Sequence, residues 1–455
     1  YKIIFLNKME SRLTSITPID GRYQGETNDI KNFHSEYSFI RYRIIVEIEY
    51  LIELNNLELF DDITEDEILF LREIYKNFSV KDAERVLEIE RETKHDVKAI
   101  EYFITERIKR NTNLVEKNIQ LFTHFCLTSQ DVNSTANVLM MRGTVQKVIL
   151  PKINELLKTM KQFILDWSKV PMLSRTHGQS ASPTFLGKEF LVFYERLVIQ
   201  SRKLNDISYT TKFGGAVGNF NAHRMALPNV DWVEFADNFI KKFDLTRNQY
   251  TTQIDHYDNY CEVFDILRRI NIIFIDLCRD MWSYISRDYF VLKMDEKQVG
   301  SSAMPQKNNP IYFEKAEANL LVSNALWNLF SNTLPVSRMQ RDLRDSSLLR
   351  NVGSAFSYMM ISLNSISLGF SKLSLNEKVL NEELDDNSLV ILEGIVARLK
   401  LLTGENKYEV FKMLARENNA KEKLERVLNN LDIDEEEKKY LKTCKPNNYT
   451  GIYKL

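Results

Sequence analysis

Hydrophobic side chains recur at intervals of three and four residues over most of the chain, which is the spacing of an amphipathic helix. The cleanest pattern lies between residues 263 and 285. Neither glycine nor proline occurs between Pro228 and Gly300. At 1.5 Å per residue, a helix of about 30 residues would be ~45 Å long. The pattern therefore predicts one helix longer than a small domain is wide.

Further stretches repeat this spacing along the chain. Four of them cover residues 145–167, 190–207, 311–334 and 346–373, and Pro151 should kink or restart the first. Nearer the N-terminus, a helix begins at Ser35, another is capped by Thr64, and residues 86–108 read as one helical segment. Residues 11–36 have turn chemistry and should be irregular.

Apolar stripes on helices this long need partners along their whole length. The pattern predicts an all-α protein with an antiparallel bundle that other subunits extend, while a monomeric two-layer helical protein is the alternative. We expect an N-terminal helical domain over residues 1–117 and a central long-helix bundle over 118–373. Shorter, more charged helices form a C-terminal domain over 374–455.

Composition agrees with a helical globular chain and excludes several classes of protein. Only 14 glycines and 9 prolines occur in 455 residues, which favours uninterrupted helices. A net charge of −2 points to neither nucleic acid nor a membrane surface. The four cysteines and six histidines are scattered, so we expect no disulfide framework, no metal and no cofactor. A cytoplasmic location is the default for such thiols.

The break between the helical patterns at residues 263–285 and 311–334 contains candidate catalytic and binding residues. Gly300, Pro305 and Pro310 rule out a continuous helix in the loop 294–310. Composition alone allows a simple helix connector. Such a loop can also close over an anionic substrate. Its polar side chains include Ser301, Ser302, Lys307, Asn308 and Asn309.

Three other stretches combine polar residues in ways that suit an anion. His177 lies among small polar residues between Pro171 and Pro183, which predicts a loop, although a lone histidine is more often structural. Thr128 or Ser129, with Asp131 following, should cap a helix whose N-terminus offers N–H groups to an anion. The last stretch is a charged turn, or a polyanion site, with four arginines: Arg338, Arg341, Arg344 and Arg350.

Taken together, these strings resemble a known group of enzymes. Gly300 to Pro310, with Glu314 four residues on, resembles the signature loop of the fumarase/aspartase superfamily of homotetrameric lyases, which release fumarate. Residues 174–189, 215–223 and 251–253 are similar to the adenylosuccinate lyase family, especially its bacterial type. The resemblance runs from about residue 16 to 449.

The resemblance implies a reaction and a division of roles. Fumarate would be eliminated from adenylosuccinate to give AMP. The sequence leaves open whether succinyl-carboxamide imidazole ribotide (SAICAR), which would give AICAR, is a second substrate. Ser301 would be the base and His177 the acid, oriented by Glu314, in sites built from three subunits of a tetramer. Substrate-binding residues would be Arg22, Tyr23, Lys94, His95, Asp96, Thr128, Ser129, Gln253, Ser302, Lys307, Asn308, Asn309, Arg341, Ser346, Ser347, Leu348, Leu349 and Arg350.

Two alternatives and three departures accompany this interpretation. The alternatives are another lyase of the superfamily, such as an argininosuccinate lyase, and an inactive structural bundle. Lys94, Ser180 and Lys315 stand where the family commonly has asparagine, proline and a small polar residue. Lys94 and Lys315 leave the detailed nucleotide contacts open.

Overall fold

The computed structural model describes residues 12–294, 297, 302–417 and 419–455. Its helices are α1 (Asn28–His34), α2 (Glu36–Leu54), α3 (Glu65–Lys76), α4 (Val80–Thr93), α5 (Asp96–Ile108), α6 (Thr112–Glu116), α7 (Ser129–Thr144), α8 (Leu150–Asp166), α9 (Leu186–Asp206), α10 (Asn221–Ala226), α11 (Trp232–Lys241), α12 (Asp258–Ser286), α13 (Ile311–Thr333), α14 (Arg344–Leu349), α15 (Val352–Lys372), α16 (Glu377–Asp386), α17 (Leu392–Thr403), α18 (Tyr408–Leu414), α19 (Ala420–Asn429) and α20 (Glu435–Thr443). The prediction of a mainly helical protein is confirmed.

Within the described ranges, strands form three small two-stranded sheets. The sheets pair β1 (Pro171–Thr176) with β2 (Gln179–Phe185), β3 (Thr210–Thr211) with β4 (Thr246–Arg247), and β5 (Phe290–Leu292) with β6 (Leu373–Leu375). Of these pairs, β3 and β4 run parallel and the other two antiparallel.

Contacts between residues divide the chain into two interleaved compact units. The described residues within 1–154, 199–275 and 316–364 form the first unit, and those within 155–198, 276–315 and 365–455 form the second. Each unit is therefore assembled from three separate pieces of chain. The predicted boundaries near residues 117 and 373 stay predictions.

A buried apolar cluster holds the N-terminal helices of the first unit together. The stripe of α2 contributes Ile40, Ile44, Ile48 and Leu51, which are almost fully buried against side chains of α3, α4 and α5. As predicted, Thr64 caps α3: its N–H donates to the Glu67 carboxylate at 2.7 Å, and the Glu67 N–H donates to the Thr64 hydroxyl at 3.4 Å. This reciprocal pair satisfies two helix-end donors.

The predicted helical segment 86–108 is wrong as a single element. Lys94 adopts a left-handed conformation with φ 56° and ends α4. His95 is extended, and its Nδ1 accepts the Lys98 N–H at 3.1 Å, which caps α5. The left-handed turn at Lys94 therefore divides the segment into two helices, α4 and α5, which pack against each other.

Pro151 has the predicted effect on the helix that contains it. A five-residue π-turn, Val145–Ile149, separates α7 from α8 and ends just before the proline. Within it, the Leu150 N–H donates to the Val145 carbonyl. A proline lacks the donor and crowds the carbonyl four residues back, so the preceding turn widens.

The long patterns are otherwise close to the helices observed. α12 is 29 residues long, as its spacing predicts. The pattern 346–373 is interrupted at Arg350 and Asn351, between α14 and α15. The stretch 11–36, expected to be irregular, contains the short helix α1. Among the described helices, none is long and apolar enough to cross a membrane.

Candidate active site

A cleft of about 730 Å³ opens in the first unit. Its walls come from the start of α2, the α4–α5 junction, one face of α7 and the segment around α14. The lining residues include Arg43, Lys94, His95, Asp96, Ser129, Asn133, Asn137, Arg341, Ser346, Ser347, Leu349 and Arg350. Nine of the predicted substrate-binding residues thus meet at one place, although they are up to 256 positions apart in sequence (from 94 to 350).

The N-terminus of α7 forms one wall of the cleft. Thr128 precedes the helix in an extended conformation, and its N–H donates to the Asp131 carboxylate at 2.9 Å. Ser129, Asn133 and Asn137 follow at intervals of four, so one helix face lines the cleft. The N-terminal N–H groups of such a helix favour an anion.

Arg43 supports this wall from α2 and was missed by sequence reasoning. Its side chain is buried, and it donates to the Asn133 side-chain oxygen at 2.7 Å and to the Asp96 carboxylate at 2.7 Å. Burial opposes ionisation of Asp96, but the Arg43 guanidinium outweighs it and holds the pKa of that carboxyl below its usual value. Arg43 therefore ties the α5 N-terminus to α7.

The segment around α14 supplies two arginines to the opposite wall. Arg341 donates to the Gln253 side-chain oxygen at 3.3 Å and to the Ser346 hydroxyl at 3.0 Å. Arg350 donates to the Glu36 carboxylate at 2.6 Å. Guanidinium groups so placed can re-pair with carboxylates or phosphate of a ligand.

Several predicted residues of the first unit do not line the cleft. Gln253 does not line the cleft, but its side-chain oxygen accepts a hydrogen bond from Arg341, which does. Thr128 immediately precedes the lining residue Ser129. Leu348 is in α14 but is not among the lining residues. Arg22 is exposed, and Tyr23 closes the turn that begins at Pro18, whose carbonyl accepts the Tyr23 N–H at 2.8 Å.

His177 lies at the tip of the β1–β2 hairpin in the second unit. His177 itself lies in a turn, as predicted, but the flanking residues 171–176 and 179–185 pair as antiparallel strands, which was not predicted. His177 and Gly178 have φ values of 55° and 76°, as a two-residue I′ turn requires. The imidazole is exposed. The hairpin turn thus leaves His177 exposed to solvent in the single chain.

Of the other predicted catalytic positions, Glu314 also belongs to the second unit. Glu314, in the first turn of α13, accepts the Trp282 indole N–H at 3.0 Å. Ser301 lies outside the described residues. In the described part of its loop, Ser302 and Lys307 are exposed, and the Asn308 side chain donates to the Leu292 carbonyl at 2.7 Å, beside Asn309. Within the described ranges, no hydrogen bond joins His177 to Glu314.

Sequence reasoning missed some residues that line the cleft. Two of them had a recognisable sequence signal, and a third had none. Asn133 and Asn137 continue the spacing of Ser129 along α7, so extending the cap by two turns would have found them. Arg43 sits inside an apolar stripe and gives no such signal. The described residues contain no group of three or more acidic, histidine or cysteine side chains able to hold a metal ion.

Solved structures of other proteins share this fold. A crystal structure of fumarate lyase from Mesorhizobium sp. BNC1 superposes with a TM-score of 0.76 at 17% identity, covering 93% of this chain and 95% of that one. A 3-carboxy-cis,cis-muconate lactonizing enzyme from Pseudomonas putida gives 0.75 at 16% identity, over 93% and 94%. At this identity the likeness concerns the fold.

Sequence comparison is more specific. Residues 21–322 match the Lyase family model, and residues 337–450 match the model of the adenylosuccinate lyase C-terminal region. Adenylosuccinate lyase of Dictyostelium discoideum is 44% identical over 454 residues, 97% of each chain. That of Escherichia coli (strain K12) is 40% identical over 445 residues, again 97% of each. With both parts of the chain matched and these relatives aligned almost end to end, the chain belongs to the adenylosuccinate lyase family.

Proposed function

We propose that the protein cleaves adenylosuccinate to AMP and fumarate. The observation that carries the proposal is identity of 40% to 44% over 97% of the chain to enzymes named for this reaction. The cleft adds a physical argument: Arg43, Lys94, Arg341 and Arg350 line it. Adenylosuccinate carries two carboxylates and a phosphate, which such a cleft suits.

The reaction needs a base, an acid and a site for growing negative charge. A proton leaves the succinyl Cβ, the electron pair forms the C=C bond of fumarate, and the bond from Cα to the purine N6 breaks. We assign Ser301 as the base, with Lys307 and neighbouring N–H groups stabilising its alkoxide. His177 gives a proton to N6, oriented by Glu314.

The binding residues divide by the charge they would meet. Arg22, Tyr23, Arg341, Ser346 and Arg350 suit the nucleotide phosphate. The Thr128–Ser129 start of α7, with Lys307 and Asn309, suits the succinyl carboxylates, where charge grows in the transition state.

A homotetramer would bring these groups together. His177 is exposed at a hairpin tip, and in the described structure Glu314 bonds Trp282 instead. The long helices also expose apolar side chains, including Val192 and Ile199 on α9, Ile272 on α12, and Leu321 and Val322 on α13. Such side chains are suited to an interface between subunits.

We place the enzyme in the cytoplasm, as expected of a chain with no disulfide among its four described cysteines.

The test is turnover of purified variants. Ser301→Ala and His177→Ala should each lower kcat by about 10²- to 10⁴-fold, measured as fumarate release from adenylosuccinate, with unchanged circular dichroism. Ser302→Ala removes the neighbouring hydroxyl, at a position assigned to substrate binding, and should lower kcat much less than Ser301→Ala does. Near-full turnover in either variant would overturn its assigned role, and a wild-type protein without turnover would overturn the function.

A further inference from the structure

A fully buried ion pair lies behind the N-terminus of α7. The Lys212 ammonium is 2.6 Å from the Asp131 carboxylate, and neither side chain is exposed to solvent. Neither residue lines the cleft. Replacing such a pair by apolar side chains is often neutral or stabilising, so stability is a weak reason for its presence.

The Asp131 carboxylate connects two segments of backbone. One oxygen accepts the Lys212 ammonium and the Gly214 N–H, the latter at 2.8 Å. The other accepts the Thr128 N–H at 2.9 Å and the Gly215 N–H at 3.1 Å. The Lys212 ammonium also donates to the Gly215 carbonyl at 2.6 Å. The pair thus fixes the α7 cap against the 212–215 loop.

The same loop reaches the opposite wall of the cleft. Gly218 has φ 81°, and a Cβ added there would lie 2.4 Å from the Thr251 carbonyl oxygen. Two residues later, the Gln253 N–H donates to the Gln340 carbonyl at 3.3 Å, and its side chain accepts from Arg341. A series of contacts therefore connects the ion pair to the cleft wall formed by α7 and to the wall that contains Arg341.

We propose that Asp131 and Lys212 are positioning residues, which hold the Thr128–Ser129 end of α7 at the spacing a substrate carboxylate requires. The proposal rests on the function proposed above. Neither residue of the pair lines the cleft, but Ser129, at the helix end that the pair holds in place, does line it. Small displacements of such groups are costly in rate.

The decisive variant is Asp131→Asn. The amide keeps one acceptor oxygen, but its NH₂ group faces backbone N–H donors and the buried ammonium loses its counter-charge. We expect kcat/KM for adenylosuccinate to fall by about 10- to 100-fold, with weaker inhibition by fumarate. Both are measured per folded enzyme, well below the unfolding temperature.

Glu67→Gln is the matched control. Glu67 is also a buried capping-box carboxylate bonded to a lysine, Lys117 at 2.7 Å, but it caps α3 and does not line the cleft. A merely structural role predicts that both variants unfold at lower temperature and that neither changes kcat/KM. That outcome, with active wild-type enzyme, would overturn the positioning role alone.

Lys212→Met keeps the inference testable if Asp131→Asn does not fold. In this variant Asp131 retains its three backbone donors, so we expect a smaller fall in kcat/KM than in Asp131→Asn, of about tenfold. Wild-type kcat/KM and fumarate inhibition in folded Lys212→Met would overturn the proposal. Inactive wild-type enzyme would instead overturn the proposed function.

Discussion

Lys94 occupies a backbone conformation that lysine rarely adopts. Its φ of 56° is left-handed, where a Cβ meets the following carbonyl, at a cost of roughly 1–2 kcal/mol. Asparagine and glycine are the residues that usually end helices in this way. The side chain is exposed and lines the cleft. Local strain at Lys94 thus accompanies a cation beside the proposed substrate site.

Replacement of Lys94 separates these two effects. We expect Lys94→Asn to raise the free energy of unfolding by about 1 kcal/mol, because asparagine tolerates this conformation better. The KM for adenylosuccinate should rise, because a cation leaves the cleft. Urea denaturation and steady-state kinetics measure the two effects.

Lys109→Asn is the control for this change. Lys109 ends α5 with an ordinary φ of −59° and does not line the cleft. It should give no stabilisation and no change in KM. A Lys94→Asn protein less stable than wild type would show that the lysine side chain contributes more than the backbone strain costs.

The candidate site could be predicted from sequence only where a short string carries the signal. Ser129, Arg341 and Arg350 stand in such strings, and the cleft brings them together. Arg43 could not be found in this way, because it lies within an apolar helical stripe and its partners are 53 and 90 residues away. Pairings at that separation are set by tertiary packing.

At the scale of elements, a glycine lets the start of helix α9 approach the end of helix α8 closely. The Gly187 N–H donates to the Trp167 carbonyl at 3.0 Å. A Cβ at Gly187 would lie 2.6 Å from the Ile164 carbonyl oxygen. The start of α9 is therefore in contact with the backbone at the end of α8.

Gly187→Ala should separate these two helix ends. We expect it to destabilise the protein by about 1–3 kcal/mol, as overpacking does, seen as a lower urea midpoint. Gly25→Ala is the control, because a Cβ there would meet nothing within 4 Å. Equal midpoints for the two variants would mean that α8 and α9 separate without cost.

Elements were predictable where the apolar spacing continues without a chain breaker. α12 is an example: it contains the whole pattern of residues 263–285 and extends it by five residues at the start and one at the end. The β1–β2 hairpin was not predicted, because its turn is formed by His177 and Gly178 rather than by the usual asparagine and glycine. The break at Lys94 was not predicted either, because lysine is a common helix residue.

At the scale of the whole molecule, the proposed active sites combine catalytic residues from more than one chain. Mixing inactive Ser301→Ala with inactive His177→Ala protein should restore activity after subunits exchange. Hybrid oligomers would then contain some sites with both side chains intact. The measurement is fumarate release before and after mild dissociation and reassembly.

Two controls limit the interpretation of this mixture. Each variant taken alone through the same treatment should stay inactive. A mixture made without dissociation should gain activity only as fast as subunits exchange. A fully reassembled mixture without activity would mean that Ser301 and His177 act within one subunit, or not at all.

The interleaving of the two compact units has a consequence for synthesis on the ribosome. The first unit requires residues up to 364, and the second requires pieces up to the C-terminal helices. Domains commonly fold one after another as the chain emerges. The apolar cluster between Ile40 and Ile119 has all its members early in the chain. Most of the nascent chain must therefore remain without its packing partners until later segments have emerged. Its long helices would expose their apolar stripes during that time, so we expect chaperones to bind during translation.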